Sequence, residues 1–562
     1  MIEYDVVIIG SGLYGIAAAR CFLEIHPDRD LIILESEASI GGTWSKDRVY
    51  DDFWTQTPLG MAEFSDIPLE VPLEDQIHLG FFPARYITKY LEEYLDGHSY
   101  GGKTLRDRVL LGHKVTSAVK DASKWKVLCG ASEEIFITRR LVVATGLTSK
   151  PHQPLLPNRD AFIGEVLHHR DFGQSSLLNN PRVVNIAVLG GGKSAADVVY
   201  ACAKAGKSVS WILRENGCGP AAHGRAQGRG PYTNSISMFN TRFISSFSPS
   251  VFAPLSAWSW LLHGTNLGRK FVDWVWESAD RQNRSHAGYQ TRQGAGSGFE
   301  KLEPDTPVFW QNDGSGIDQR PDFWEVVAEK VNVFRSNITN LSETTIRLRD
   351  GSVLAADVLI CATGWESALS FLNPQESARL GLPVLRKQER PEDAAKWSRL
   401  ESAARDNILR RFPSLADPPV HFAREMATTP YRLYKGIAPL DDRTIVILGH
   451  IQVGNNFMAA ECQALWATAY FDERLHLPSQ IAMANEVALS NVWCRLRYLG
   501  KGQMGIWYYF DLVPYIDMLL ADIKLRSYRR SWALDLFSPV TAKDIRRLHQ
   551  EYVGCQGRGV RI

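Results

Sequence analysis

The chain has 562 residues, more than one hydrophobic core usually serves, so two or three lobes are expected. Its 45% hydrophobic and 22% charged residues are ordinary for a globular protein, and a net charge of +1 without a long Lys/Arg run argues against a nucleic-acid surface. The eight cysteines (Cys21, Cys129, Cys202, Cys218, Cys361, Cys462, Cys494, Cys555) contain no C-x-x-C pair, which argues against a zinc ribbon or dithiol centre and for a reduced, cytoplasmic setting.

A strand-like run, YDVVIIG, begins at Tyr4, which leaves no room for a cleaved leader. Val6 to Ile9 form the continuous apolar run of a parallel strand covered on both faces. Gly10, Gly12 and Gly15 follow as G-x-G-x-x-G and open a helix. In that spacing the first glycine permits the turn, the second lets backbone approach a pyrophosphate, and the third lets helix and strand pack closely. A second apolar strand ends in Glu35, where a carboxylate can take ribose hydroxyls. LVVATG then ends at Gly146 as a strand end passing close to a cofactor. Next comes FIGEVLHHRDF, residues 162–172, whose adjacent His168 and His169 invite a catalytic or metal reading. No set of ligands converges on the pair in sequence, so no metal site is expected; His168 is read as structural and His169 as solvent-facing.

The glycine pattern recurs after a further apolar strand, as Gly190, Gly192 and Ala195, with Lys193 and Ser194 expected to touch a phosphate at the helix start. Here the following strand ends in Arg214, not an acid. A guanidinium there pairs with a 2′-phosphate that a carboxylate would repel, so the two turns together suggest FAD on the first and NADPH on the second. Residues 217–318 are rich in Trp, Phe, Ser and Gly, and helices and loops over the cofactor cleft are expected. Within them VFAPLSAWSWLLHG falls short of the ~18 residues of a membrane span; its two tryptophans could touch a membrane surface or line a channel, with packing between lobes the favoured reading. VLICATG, with Thr363 and Gly364, reads as a second cofactor-side strand end. Near the C-terminus IWYYFDLVPYIDMLLADI reads as an amphipathic helix, with Trp507, Tyr508 and Tyr509 as candidates to line a substrate pocket.

The fold expected is α/β, with two Rossmann-like dinucleotide-binding domains, one inserted in the other, and a helical C-terminal extension. The expected boundaries are 1–172 for the first part of the FAD domain and 173–330 for the NADPH domain with its 217–318 insertion. Residues 331–475 are expected to return to the FAD domain, and 476–562 to form the extension.

Phe162, Gly164, His168 and Phe172 match the identifying pattern of the flavin-containing monooxygenases, and they lie between the two glycine turns as in that family. ESEASIGGTW, with Gly42 and Trp44, resembles the family's segment beside FAD; FSDIP, FFPARYITKYLEEY and AAECQALWATAYF resemble later landmarks, and the chain is most similar to fungal metabolite-tailoring members. The resemblance implies that NADPH reduces FAD, that reduced flavin captures dioxygen as a C4a-hydroperoxide, and that nitrogen or sulfur of a small substrate attacks it. Gln56 stands where the family usually has Asn near the reactive flavin, and it is the candidate catalytic residue; Thr55 or Thr57 could take over its role. Phe172-Gly173 replaces the Trp that ends the motif in Baeyer–Villiger enzymes, which favours heteroatom oxygenation over attack on a ketone. A non-oxygenating NADPH-binding flavoprotein is the alternative from another class.

Overall fold

The computed structural model describes residues 1–72, 76–130 and 133–557. β1 (Ile2–Ile9), α1 (Leu13–Ile25) and β2 (Leu31–Leu34) form the first strand–turn–helix unit. β1 is the axis of a seven-stranded sheet because Val6 to Ile9 offer apolar side chains to both faces. Ile8 pairs in parallel with Ile33 on one side and Val142 on the other. The strand Ile135–Val143 also pairs with Ile445–Ile447, so residues more than 300 positions apart close the first sheet. Against α1 packs the helix Asn456–Phe471, which is buried on every side from Phe457 to Phe471. A helix buried all round is a core helix, and its buried Glu461 is satisfied by Arg20 and the Ser65 N–H.

The second sheet has five parallel strands, ordered Glu165–His168, Val358–Cys361, β3 (Asn185–Leu189), β4 (Ser208–Leu213) and Val331–Arg335, with α2 (Lys193–Lys204) between β3 and β4. The expected boundaries therefore shift. Glu165–His168 belongs to the second sheet although it precedes residue 172, and residues 331–361 do not return to the first lobe. The physical reason is register: Ile360 pairs with both Leu167 and Val188, and a short apolar strand does not encode which sheet it completes. The chain crosses between lobes twice, side by side, where Lys150–Pro151 pairs antiparallel with Trp365–Glu366.

Residues 217–318 fold as expected into helices and loops, including α3 (Ala257–Gly264) and α4 (Asn266–Ala287). Thr265 caps α4 by accepting from the Gly268 N–H, and Gly268 lets the two helices abut, since a Cβ there would lie 1.8 Å from the Leu261 carbonyl oxygen. Trp258 and Trp260, expected between lobes, are instead 43% and 67% exposed on α3. The C-terminal helix expected from Ile506 starts only at Leu512. Pro514 is the reason: proline is tolerated in the first helical turn, and an earlier start would put it in the interior, where it breaks a backbone hydrogen bond. Among the described residues no helix is long and apolar enough to cross a membrane.

Candidate active site

Both glycine turns press closely against the strand ends beside them. Gly10 has φ +104° and Gly190 φ +147°; a Cβ at either would strike the carbonyl oxygen of Ala144 or Ala362, at 2.6 and 2.3 Å. Each Ala-Thr-Gly strand end is thus the wall against which one turn is pressed. A Cβ at Gly15 would lie 1.9 Å from the Gly10 oxygen, whereas the second turn accommodates the buried methyl of Ala195. Space is open where phosphates would lie: a Cβ at Gly146, Gly192 or Gly364 meets nothing within 4 Å, and Gly12 faces only Gly42. α1 and α2 start at Gly12 and Gly192 without a side-chain cap, so their first N–H groups remain for an anion. The residues present fit a dinucleotide at both turns.

At the end of β2, the Glu35 carboxylate accepts from the backbone N–H and hydroxyl of Ser11, both at 2.8 Å, which ties it to the first turn. Gly42 and Trp44 lie in the short helix beside that turn, with Trp44 stacked on Phe53 at 5.6 Å. At the end of β4, Arg214 is exposed and makes no ion pair among the described residues. Its neighbour Glu215 is drawn away by Arg349 and by Asn337 Nδ2 at 3.1 Å. Ser194 lies exposed at the helix start. Lys193 departs from the expected phosphate contact: it folds back along α2 to pair with Asp197, and burial brings its pKa down to about 8. Thr363 also has a structural partner, donating to the His152 carbonyl at 2.6 Å.

FIGEVLHHRDF is the joint between the sheets. His168 is fully buried; its Nε2 bonds the Gly364 carbonyl at 3.0 Å and its Nδ1 accepts from the Arg170 N–H, so one tautomer satisfies both. His169 is not solvent-facing: its ring packs 5.1 Å from Trp365, and burial pushes its pKa down to about 3. A Cβ at Gly164 would strike the Asp357 oxygen at 2.5 Å, and Phe172 packs edge-on to Tyr50 at 4.9 Å. Among the described residues no cluster of three His, Cys, Asp or Glu side chains could hold a metal.

Gln56 lies at the meeting of the two lobes and the inserted segment. Its Oε1 accepts from the Ile317 N–H at 3.0 Å, while Thr55 is buried against the Phe82 backbone. Ile317 belongs to the strand Ser315–Asp318, which pairs with Ala222–Arg225. Beyond that strand opens a cavity with about 650 Å³ of atom-free space including its mouth. Ile236, Phe239, Trp276, Val308, Tyr509 and Phe510 make its lining largely apolar; Asn240, Asn283 and Ser315 are polar, and no ionisable group other than the Tyr509 phenol lines it. Of the three aromatics expected there, only Tyr509 reaches it; Tyr508 is buried against Phe252, and Trp507 donates to Gln311 at 2.8 Å.

A family model for pyridine nucleotide-disulphide oxidoreductases matches residues 4–228. An FAD-dependent monooxygenase of Pyrenophora dematioidea is 33% identical over 94% of this chain and 100% of its own. The chain belongs to the FAD-dependent monooxygenases. A dimethylaniline monooxygenase (N-oxide-forming) of Macaca mulatta is 24% identical, over 92% of this chain and 82% of its own. The open crystal structure of cyclohexanone monooxygenase shares the fold with a TM-score of 0.61 at 17% identity, covering 100% of this chain and 99% of that one.

Membership makes the protein a flavin-dependent monooxygenase. Disulfide chemistry does not come with the matched model, because the cysteines within 4–228 are separate and free. The monooxygenase also holds a buried charged cluster that sequence reasoning missed. Arg320 donates to Asp197 at 2.8 Å and to the Asp52 carbonyl, and its guanidinium lies over the Tyr200 ring at 4.5 Å. Lys193 and Asp197 stand four apart on one helix, whereas Arg320 comes from 123 positions away from Asp197.

Proposed function

We propose that this monooxygenase binds FAD on the first glycine turn and NADPH on the second, and oxygenates a nitrogen or sulfur centre of a small, uncharged, natural-product-like molecule. The apolar cavity one strand away from Gln56 carries this reading. With no carboxylate in the lining to hold an ammonium, an amine enters as the free base, with its lone pair available for attack. Bound FAD supplies the redox and oxygen chemistry. The chain's own residues exclude water and orient the reactants: Phe239, Trp276 and Phe510 pack the substrate, and Gln56, its oxygen fixed by Ile317, presents its amide N–H groups as donors. Glu35 at the first turn and the unpaired Arg214 at the second support the order of the two cofactors. The relative named as N-oxide-forming is in keeping with a heteroatom substrate.

The test is incubation of the FAD-loaded enzyme with NADPH, dioxygen and matched amines, sulfides and cyclic ketones, read by product mass and NADPH consumed. Gain of one oxygen on amines or sulfides is expected. Lactones from the ketones alone would move the enzyme to the Baeyer–Villiger branch, and peroxide equal to the NADPH consumed with every substrate would overturn the reading.

A further inference from the structure

α4 carries apolar residues on its exposed side as well as on its buried one. Gly268, Val272 and Trp276 point inward, while Leu267, Phe271 and Trp274, spaced i, i+4 and i+7, point outward. A helix on the surface of a water-soluble lobe normally keeps that outer face polar. Trp274 is 56% exposed, and α3 adds the exposed Trp258, Trp260 and Leu261. A second segment joins the same surface. Phe537 packs on Phe243 at 5.0 Å, Phe243 on Phe247 at 5.2 Å, Phe247 on Phe271 at 5.6 Å, and Phe271 stacks on Trp274 at 5.9 Å. Trp258 leans on Phe243 at 6.3 Å, and Trp532, 77% exposed, lies on the helix that ends in Phe537. The result is one aromatic face made from two segments more than 250 residues apart.

The charge on these segments identifies the occupant. Residues 254–274 and 524–537 together hold six Lys or Arg and two acids, in a chain whose net charge is only +1; of the six, Arg529 pairs with Glu551 and Arg530 with Asp535 and Asp544. Lys270, Lys524 and Arg526 are exposed and form no ion pair among the described residues. Exposed tryptophans amid unpaired basic residues are the composition of a surface that settles at the headgroup level of an anionic membrane. Tryptophan with arginine also suits a protein interface, but lysine is depleted there and two of the three unpaired bases are lysines, while a second copy would bring like charges together.

We propose that this face docks on an anionic phospholipid bilayer without crossing it. The contact rests on α3, α4 and the 524–537 segment, independently of which atom the enzyme oxygenates. Since α4 also supplies Trp276 and Asn283 to the apolar cavity, the bilayer would lie on the outer side of the cavity wall.

The test is sedimentation of the full-length, FAD-loaded protein with vesicles of phosphatidylcholine alone or mixed with phosphatidylserine. Cosedimentation with the mixed vesicles, weakened by salt, is expected. Trp260→Ser/Trp274→Ser and Lys524→Glu/Arg526→Glu should each lower the vesicle affinity by at least about tenfold. An unchanged flavin-to-protein absorbance ratio and melting temperature would establish that these exposed substitutions leave the fold intact. No cosedimentation of the parent protein, or binding that both variants leave unchanged, overturns the proposal. So does a concentration-dependent dimer that the tryptophan variant abolishes without vesicles, which would make the face a contact between copies.

Discussion

Gly15→Ala tests the first glycine turn at its tightest point. The new methyl would sit 1.9 Å from the Gly10 oxygen, about 1.5 Å short of ordinary contact, and the obstacle is backbone on both sides. Rotamer changes cannot relieve such a clash, so α1 must move away from β1, at a cost near the upper end of overpacking, about 3 kcal/mol. The cost falls on the turn that carries Gly12 and packs against Gly42. If FAD lies there, its affinity should fall by roughly a hundredfold. The second turn supplies the control: Ala195→Gly removes a buried methyl from a place that fits it, for about 1–2 kcal/mol of stability and no steric disruption. The assay is flavin content of the purified protein by absorbance, with dissociation constants from titration of the apoprotein. Gly15→Ala protein with full flavin content and an unshifted melting temperature would refute the packing argument.

Arg214→Ala should raise the KM for NADPH about 10- to 100-fold, as expected for one charge-assisted contact, and leave NADH nearly unchanged; the ratio of kcat/KM for the two nucleotides checks this. Gln56→Ala should lower product formed per NADPH and raise peroxide, while stability falls by only about 1 kcal/mol for the lost bond to the Ile317 N–H. A peroxide assay beside product quantitation separates the two effects. Acid should also destabilise the fold. Burial lowers His450 and His223 to about 4, below the ordinary histidine range, so their stabilising effect is full above pH ~6.5 and is lost as pH falls towards 4. For each the loss approaches roughly 3 kcal/mol at the acid limit. Melting temperatures from pH 7 to pH 4 should show it, and His450→Gln, which can keep hydrogen bonds to Tyr431 and Thr145, should flatten the curve.

What lay close together in sequence was legible. The strands at Val6–Ile9 and Ile186–Leu189, the two glycine turns, the acid after β2 and the base after β4 each sit within about 25 residues of their partners, and local sterics fix them. The FIGEVLHHRDF motif announced a joint between lobes, although not that His169 turns inward to Trp365. Side-chain directions were less accessible: Lys193 turns to the buried Asp197 carboxylate, which Arg320 also pairs with, and nothing near residue 193 announces Arg320.

The sequence by itself determined the two strand–glycine-turn–helix units and the resemblance to flavin-dependent monooxygenases, because those features depend on backbone conformation over short spans. Only the tertiary structure decided that Val358–Cys361 completes the second sheet, that the cavity opens one strand away from Gln56, and that Trp258 and Phe537 meet across Phe243. Each of these is a meeting of distant segments. An apolar residue is drawn out of water, but its own identity does not say which partner, or which surface, will cover it.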